Sequence, residues 1–344
     1  MTRAKAKIVI TGMGGLCSLG TSADAIWASM KAGKQGIGPI TTVDVSETKV
    51  MAGAEIVELP DIGLDHRRLV TMDRMAHLAV LASDEAWKQS GLPASESGHR
   101  RIGAIVGVGT FGGISIDDAY RAVWRENKRF PPIFTVPKAM PGAAAGQVSM
   151  HLGLKGPVFG VSSACSSSNH AIGQAMDLLR SGRADVMIAG GTDAPLSFGV
   201  LKAWETLRVI APEPCRPFSA DRAGLSIGEG TGIFVLETEE HAKARGATII
   251  AELAGCGMTG DASDIVAPGV EGPANAMAEC LIDAGLRPED IDYINAHGTA
   301  TKANDVIETQ AIRRAFGVAA DRLSVSSTKS MHAHCMGASG AVEL

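Results

Sequence analysis

One arrangement of segments occurs twice in this chain, and it constrains the fold more than any other feature. A helix-like stretch ending in EAWKQSGLP leads into the apolar run RIGAIVGVG. Much later CLIDAGLRPEDIDYINAHG repeats the plan: helix, small residue, Gly-Leu, strand, glycine turn. A second pair follows in the same order. VSSACSSSNHAIGQAM, from Val161, is matched by VSSTKSMHAHCMGASGAVEL, from Val325; each reads as strand, Val-Ser-Ser, helix start. Two ordered matches predict an internal duplication. The halves are expected at 1–245 and 246–344, with equivalent strand ends meeting at a pseudo-symmetry axis.

The elements between these segments agree. Short apolar runs alternate with helical periodicity. Ile8–Ile10 reads as a strand entering a glycine turn, TGMGG. A helix is expected over Met72–Gln89, stopped at Gly91, with strands at Ile102–Val108, Ala184–Ala189, Ile233–Leu236 and Ile249–Leu253. Buried runs alternating with helices predict an α/β fold with parallel or mixed sheets. Composition fits: 41 of 344 residues are glycine and only 4% are aromatic, which suits many tight strand–helix turns and not an all-β binding module.

Several function classes drop out. A net charge of −5 leaves no basic footprint for nucleic acid. No run of 18 apolar residues exists, so no membrane span is expected. The start MTRAKAKIVI is basic but passes directly into a strand-like run, without a signal-peptide core. A cytoplasmic protein is expected, with its six scattered cysteines as free thiols.

One of those cysteines is placed differently from the rest. Cys165 follows a strand (Pro157–Val161) and a serine-rich turn, at the start of an amphipathic helix. There the helix dipole and free N–H groups would favour a thiolate and could hold an oxyanion. Two histidine segments come from the second half: YINAHGTAT, with His297 at a strand end, and SSTKSMHAH, with His334. Imidazoles at buried strand ends can bind a developing anion or move protons. With Cys165 they form a nucleophile-and-base constellation.

These three segments, SSACSSSNHAIG, NAHGTAT and SSTKSMHAH…GASGAVE, resemble the motifs of the β-ketoacyl-(acyl carrier protein) synthases of the Cys-His-His class. GGTDAPLSFGVLKAWE and CRPFSADRAG are most similar to the nodulation-type and type II synthases. The resemblance runs from residue 8 to the end. It implies a thiolase-like, five-layered αβαβα fold and a decarboxylative condensation of malonyl-carrier protein with a cysteine-bound acyl chain. It further implies a homodimer, and no cofactor or metal beyond the phosphopantetheine that carries the substrates. By motif position, Cys165 is the acylated nucleophile. His297 and His334 bind the malonyl thioester carbonyl. Lys329 is the active-site lysine, Glu308 the carboxylate that pairs with it, and Asp305 a retained supporting acid. Thr299 and Thr301 bind the pantetheine arm.

The family pattern is not followed everywhere. Lys302-Ala303-Asn304 stands where Pro and Gly are usual, which implies a local loop change. His332-Ala333 replaces a commoner Thr-Gly, and the resulting His332-Ala333-His334-Cys335 could suggest a metal site, although ligands so close seldom close a tetrahedron. Phe111 is bulkier than the usual residue of the loop that lines the acyl pocket, so it is expected to gate or shorten the acyl chain. Phe134 falls near the segment that crosses to the other subunit's pocket. Family members continue for several dozen residues past Gly-Ala-Val-Glu, into a Gly-Phe-Gly-Gly loop with an oxyanion-hole N–H and a gating phenylalanine. That segment is expected to lie outside these 344 residues, through truncation or in a natural fragment.

The expected partner is an acidic acyl carrier protein. Arg67, Arg68 and Arg74, and Arg125, Lys128 and Arg129, form two local basic clusters that suit it, or an ordinary solvated face. Rival readings are weaker. ITGMGGLCSLG looks like a dinucleotide phosphate turn, but no acidic residue follows at the required spacing of about 20 residues. A non-catalytic chain-length subunit would usually lack Cys165. A biosynthetic thiolase would need a second cysteine motif, which is not evident. A polyketide ketosynthase remains compatible with the same motifs.

Overall fold

The computed structural model describes residues 5–94 and 98–344; the basic start, residues 1–4, and residues 95–97 lie outside the described residues. Among the described residues eleven strands are formed: β1 Ile8–Cys17, β2 Gly38–Pro39, β3 Ala52–Ala54, β4 Ile102–Gly107, β5 Val158–Val161, β6 Val186–Asp193, β7 Ile227–Gly228, β8 Gly230–Thr238, β9 Ala251–Leu253, β10 Tyr293–Asn295 and β11 Ser324–Ser326. Six of them make one sheet in the order β5-β4-β6-β8-β1-β9. β5, β4 and β6 run parallel, whereas β8 is antiparallel to both β6 and β1.

Both faces of this sheet are covered, which explains why its central strands read as unbroken apolar runs. Side chains alternate between the faces. Val106, Ile188 and Val235 pack on one side with the helix Arg74–Ser90, and Ile105, Met187 and Leu236 pack on the other with the helix Ser167–Arg180. Asp73 caps the first of these helices through Met75 N, and Gly91 ends it in a left-handed conformation at φ 67°.

One sequence expectation is corrected here. TGMGG is not a turn: β1 continues through it, paired with β8 as far as Cys17 opposite Gly230. The glycines serve packing. A Cβ on Gly12 would lie 2.1 Å from Ala86 O, and one on Gly14 would lie 2.1 Å from Ala82 O. The strand therefore approaches the helix Arg74–Ser90 more closely than any side chain permits, and no phosphate turn exists at this place.

The two pairs of similar segments share local topology. β4 follows a helix ended by Gly91 and pairs in parallel with β5; β10 follows the helix Glu271–Ala284, ended by Gly285 at φ 67°, and pairs in parallel with β11. Each second strand then enters its Val-Ser-Ser turn. The helices Glu271–Ala284 and Lys302–Phe316 share an apolar cluster with β10 through Met277, Ile312, Phe316 and Ile294. Among the described residues no helix is long and apolar enough to cross a membrane, and all six cysteines are unpaired.

Candidate active site

Cys165 sits just beyond the carboxyl end of β5, in a turn built by serine hydroxyls. Ser167 Oγ accepts from Ser163 N at 2.9 Å and donates to Ala164 O at 2.6 Å, while Ser166 Oγ donates to Ser163 O at 2.8 Å. Ala164 is held at φ 54°, a conformation that non-glycine residues rarely adopt. The helix Ser167–Arg180 follows at once, with its first turn against β4. A Cβ on Gly107 would lie 2.3 Å from the Ser167 carbonyl carbon, so only glycine lets the two meet.

The histidines arrive from β10 and β11. His297 lies two residues beyond β10, its backbone N–H donating to Glu308 Oε1 at 2.6 Å, and the next amide, Gly298 N, donates to Glu308 Oε2 at 2.7 Å. Asp305 steadies the same loop, accepting from Ala300 N and Phe218 N. Past β11, the His334 backbone is pinned as a bridge partner of β7, donating to Ser226 O at 2.8 Å and accepting from Gly228 N at 3.0 Å. Left-handed conformations recur at Ala300, Ala333 and Met336.

These turns converge. His334 Nε2 lies 3.1 Å from Cys165 Sγ, and the two imidazoles meet edge to face with centroids 5.3 Å apart. The backbone N–H of Met336 donates to His334 Nδ1 at 3.0 Å. A backbone amide can only donate, so Nδ1 is the acceptor and the neutral ring carries its proton on Nε2, facing the sulfur. Both rings are held neutral. Burial, and then the Lys329 charge, lower His297 to about 3 and take His334 well below the ordinary imidazole value.

Two expectations are corrected by this geometry. Glu308 is not the partner of Lys329; it is committed to the amides of His297 and Gly298. Lys329, fully buried, donates instead to Glu343 Oε1 at 2.5 Å. Glu343 closes the GASGAVE motif, but spacing alone does not say which acid meets the lysine. Nor is the Cys165 thiol acidified: burial raises its pKa above the ordinary value, with the Lys329 charge opposing.

Cys165, His297 and His334 share a cavity of about 1160 Å³ with Thr299, Thr301 and Glu343. The hydroxyls of Thr299 and Thr301 are 3.0 Å apart. Phe111 and Phe134 are not among the residues lining this cavity; Phe111 is 40% exposed on the loop after β4, and Phe134 precedes the short helix Thr135–Ala139. His332 points elsewhere, with Nε2 3.0 Å from Thr328 Oγ1 and Nδ1 3.8 Å from Cys335 Sγ, so His332 to Cys335 do not converge as ligands. Cys165, His297 and His334 do offer ligand atoms within 4.8 Å of one another. The Met336 amide, however, turns the His334 Nε2 lone pair into an N–H, which disfavours a metal there. The first basic cluster is also reduced: Arg74 is consumed in a two-pronged ion pair with buried Glu229, at 2.6 Å on both arms.

Comparison with known proteins agrees with this site. The sequence matches the family Beta-ketoacyl synthase, N-terminal domain, over residues 5–242 and Beta-ketoacyl synthase, C-terminal domain, over residues 250–344. Nodulation protein E of a Rhizobium species is 59% identical over 98% of this chain and 84% of its own length. The 3-oxoacyl-(acyl-carrier-protein) synthase 2 of Staphylococcus aureus is 39% identical over 98% of this chain and 83% of its own. Among solved structures, the ishigamide ketosynthase/chain length factor superposes with a TM-score of 0.92 at 32% identity, covering 99% of this chain and 84% of that one. A type II polyketide ketosynthase in complex with its acyl-carrier protein reaches 0.88 at 28% identity, covering 98% and 85%. Fold, motifs and relatives agree: the chain has the thiolase-like α/β fold and belongs to the β-ketoacyl synthase family of condensing acyltransferases.

Proposed function

We propose that Cys165 is the acyl acceptor and that His297 and His334 are the paired donors for malonyl decarboxylation. The observation that carries this is the fixed Nε2–H of His334, 3.1 Å from the Cys165 sulfur and beside a second neutral imidazole. In the first half-reaction the Cys165 sulfur attacks an acyl thioester and the carrier thiol departs. In the second, a malonyl thioester places its carbonyl oxygen toward the two imidazoles. Carbon dioxide leaves, and its bonding pair becomes an enolate held by two N–H donors. Neutral donors suit this step, because an imidazolium would protonate the carbanion. The enolate carbon attacks the Cys165 thioester, the sulfur departs, and the product is a β-ketoacyl chain two carbons longer.

The carrier would be an acyl carrier protein, its pantetheine arm passing Thr299 and Thr301 in the cavity. Arg67, Arg125 and Arg129 supply exposed positive charge for an acidic partner. Phe111 is proposed as the acyl-length gate. A homodimer is supported by the free edge of β5, where Phe159 is exposed.

Acyl transfer and malonyl decarboxylation are measured separately in Cys165→Ala and His334→Ala. Cys165→Ala should lose acylation, and His334→Ala should keep it while losing decarboxylation. An acylated Cys165→Ala protein would overturn the assignment. Equal chain-length profiles for wild type and Phe111→Ala would remove the gate, and unchanged KM after charge reversal at Arg125 and Arg129 would remove that docking surface.

A further inference from the structure

We infer that Asp193 is a positioning residue that couples the loop before Phe111 to the donor state of His334. Asp193 ends β6, fully buried, and four donors converge on its carboxylate. Gly109 N and Gly337 N donate to Oδ2 at 2.8 and 2.6 Å; Thr110 N and Thr110 Oγ1 donate to Oδ1 at 3.2 and 2.5 Å. The segments it joins are in contact. A Cβ on Gly337 would lie 2.2 Å from Gly109 N, and one on Gly109 would lie 2.8 Å from Ala164 O. One carboxylate thus gathers the loop after β4 and the turn after His334, against the turn before Cys165.

The connection to chemistry runs through adjacent amides. Gly337 N is held by Asp193, and its neighbour Met336 N fixes His334 Nδ1 as an acceptor. Met336 is left-handed at φ 47°, so it needs an external hold to stay there. The other partner of Nδ1 is the Ser339 hydroxyl at 2.9 Å, which can accept as well as donate. Without Asp193 the Met336 amide can withdraw, Ser339 can accept an Nδ1 proton, and Nε2 then turns a lone pair toward the enolate. Burial raises the Asp193 pKa to about 6, which leaves the group ionised at neutral pH with all four donors satisfied.

This inference rests on the reading of His334 as a decarboxylation donor. The test is Asp193→Asn, assayed for both half-reactions and by ¹⁵N NMR of histidine-labelled enzyme, with His334→Ala identifying the His334 signals. Expected are acyl transfer within a few-fold of wild type, decarboxylation lower by roughly 10²-fold, the magnitude of one lost oxyanion donor, and a His334 signal shifted toward the Nδ1–H tautomer. Adding Ser339→Ala removes the competing acceptor and should recover part of the loss. Parallel loss of both half-reactions with no tautomer change, or unaltered decarboxylation, would overturn the inference. Should Asp193→Asn fail to fold, Thr110→Val, which deletes one donor, should lower decarboxylation several-fold and spare acylation; no difference between the two would deny the coupling. If His334→Ala itself decarboxylates normally, the site assignment fails instead.

Discussion

Lys329 and Glu343 form a buried ion pair, Nζ to Oε1 at 2.5 Å, close enough to Cys165, His297 and His334 for the lysine charge to act on all three. Removing one member strands the other's charge. Lys329→Ala should therefore destabilise the protein by roughly 3–5 kcal/mol, while the double variant Lys329→Met with Glu343→Leu should lose much less. Denaturant unfolding of wild type, Lys329→Met, Glu343→Leu and the double variant closes a cycle that measures the coupling, and additive losses would deny it.

The Cys165 thiol should titrate above the ordinary cysteine range, because burial opposes the thiolate. The iodoacetamide alkylation rate is expected to keep rising through pH 9. Lys329→Met removes the charge that opposes burial and should move the profile further up. A plateau near pH 7 would contradict this.

His332 gives a stability test separate from turnover. Its folded pKa is lowered to about 3 by burial and the Lys329 charge. Between that value and the unfolded value near 6.5, the unfolded chain binds the extra proton. This contribution is therefore fully present above about pH 6.5 and falls on acidification, by about 1.4 kcal/mol per pH unit. His332→Gln should shallow the acid-side loss of Tm by one proton's worth; an unchanged slope would refute it.

Gly107→Ala should be destabilising by roughly 1–3 kcal/mol or more, since its Cβ would sit 2.3 Å from backbone in the helix that follows Cys165. Gly38→Ala meets nothing within 4 Å and serves as the control. Equal melting temperatures for the two would discount the packing argument.

What could be read in advance divides along physical lines. The meeting of Cys165, His297 and His334 is legible because each stands at a strand end beside turn residues, and similar segments in similar order suggest that such ends meet. The partners of Glu308 are not legible, because by spacing a carboxylate near the His297 loop can serve backbone amides or a lysine equally well. The glycine run in β1 looks like a turn because the cause of its glycines, the backbone of Ala82 and Ala86, lies on the distant helix Arg74–Ser90. Asp193 lies in the GGTDAPLSFGVLKAWE stretch, but nothing local shows its partners; its four donors come from two distant loops. The thiol was expected to be acidified because the helix start is visible in sequence, whereas the depth of its burial is not.

Four residues around the site, Ala164, Ala300, Ala333 and Met336, occupy left-handed conformations without being glycine. Each costs roughly 1–3 kcal/mol, a penalty that glycine would largely avoid; Ala333, at φ 62° and ψ −171°, lies in a region that is essentially glycine's alone. Glycine at these four positions would relieve that strain where a looser turn would misplace Cys165 or His334. Heat tolerance and turnover are set against each other in these few turns, and a variant selected for thermal survival alone would be expected to lose condensation first.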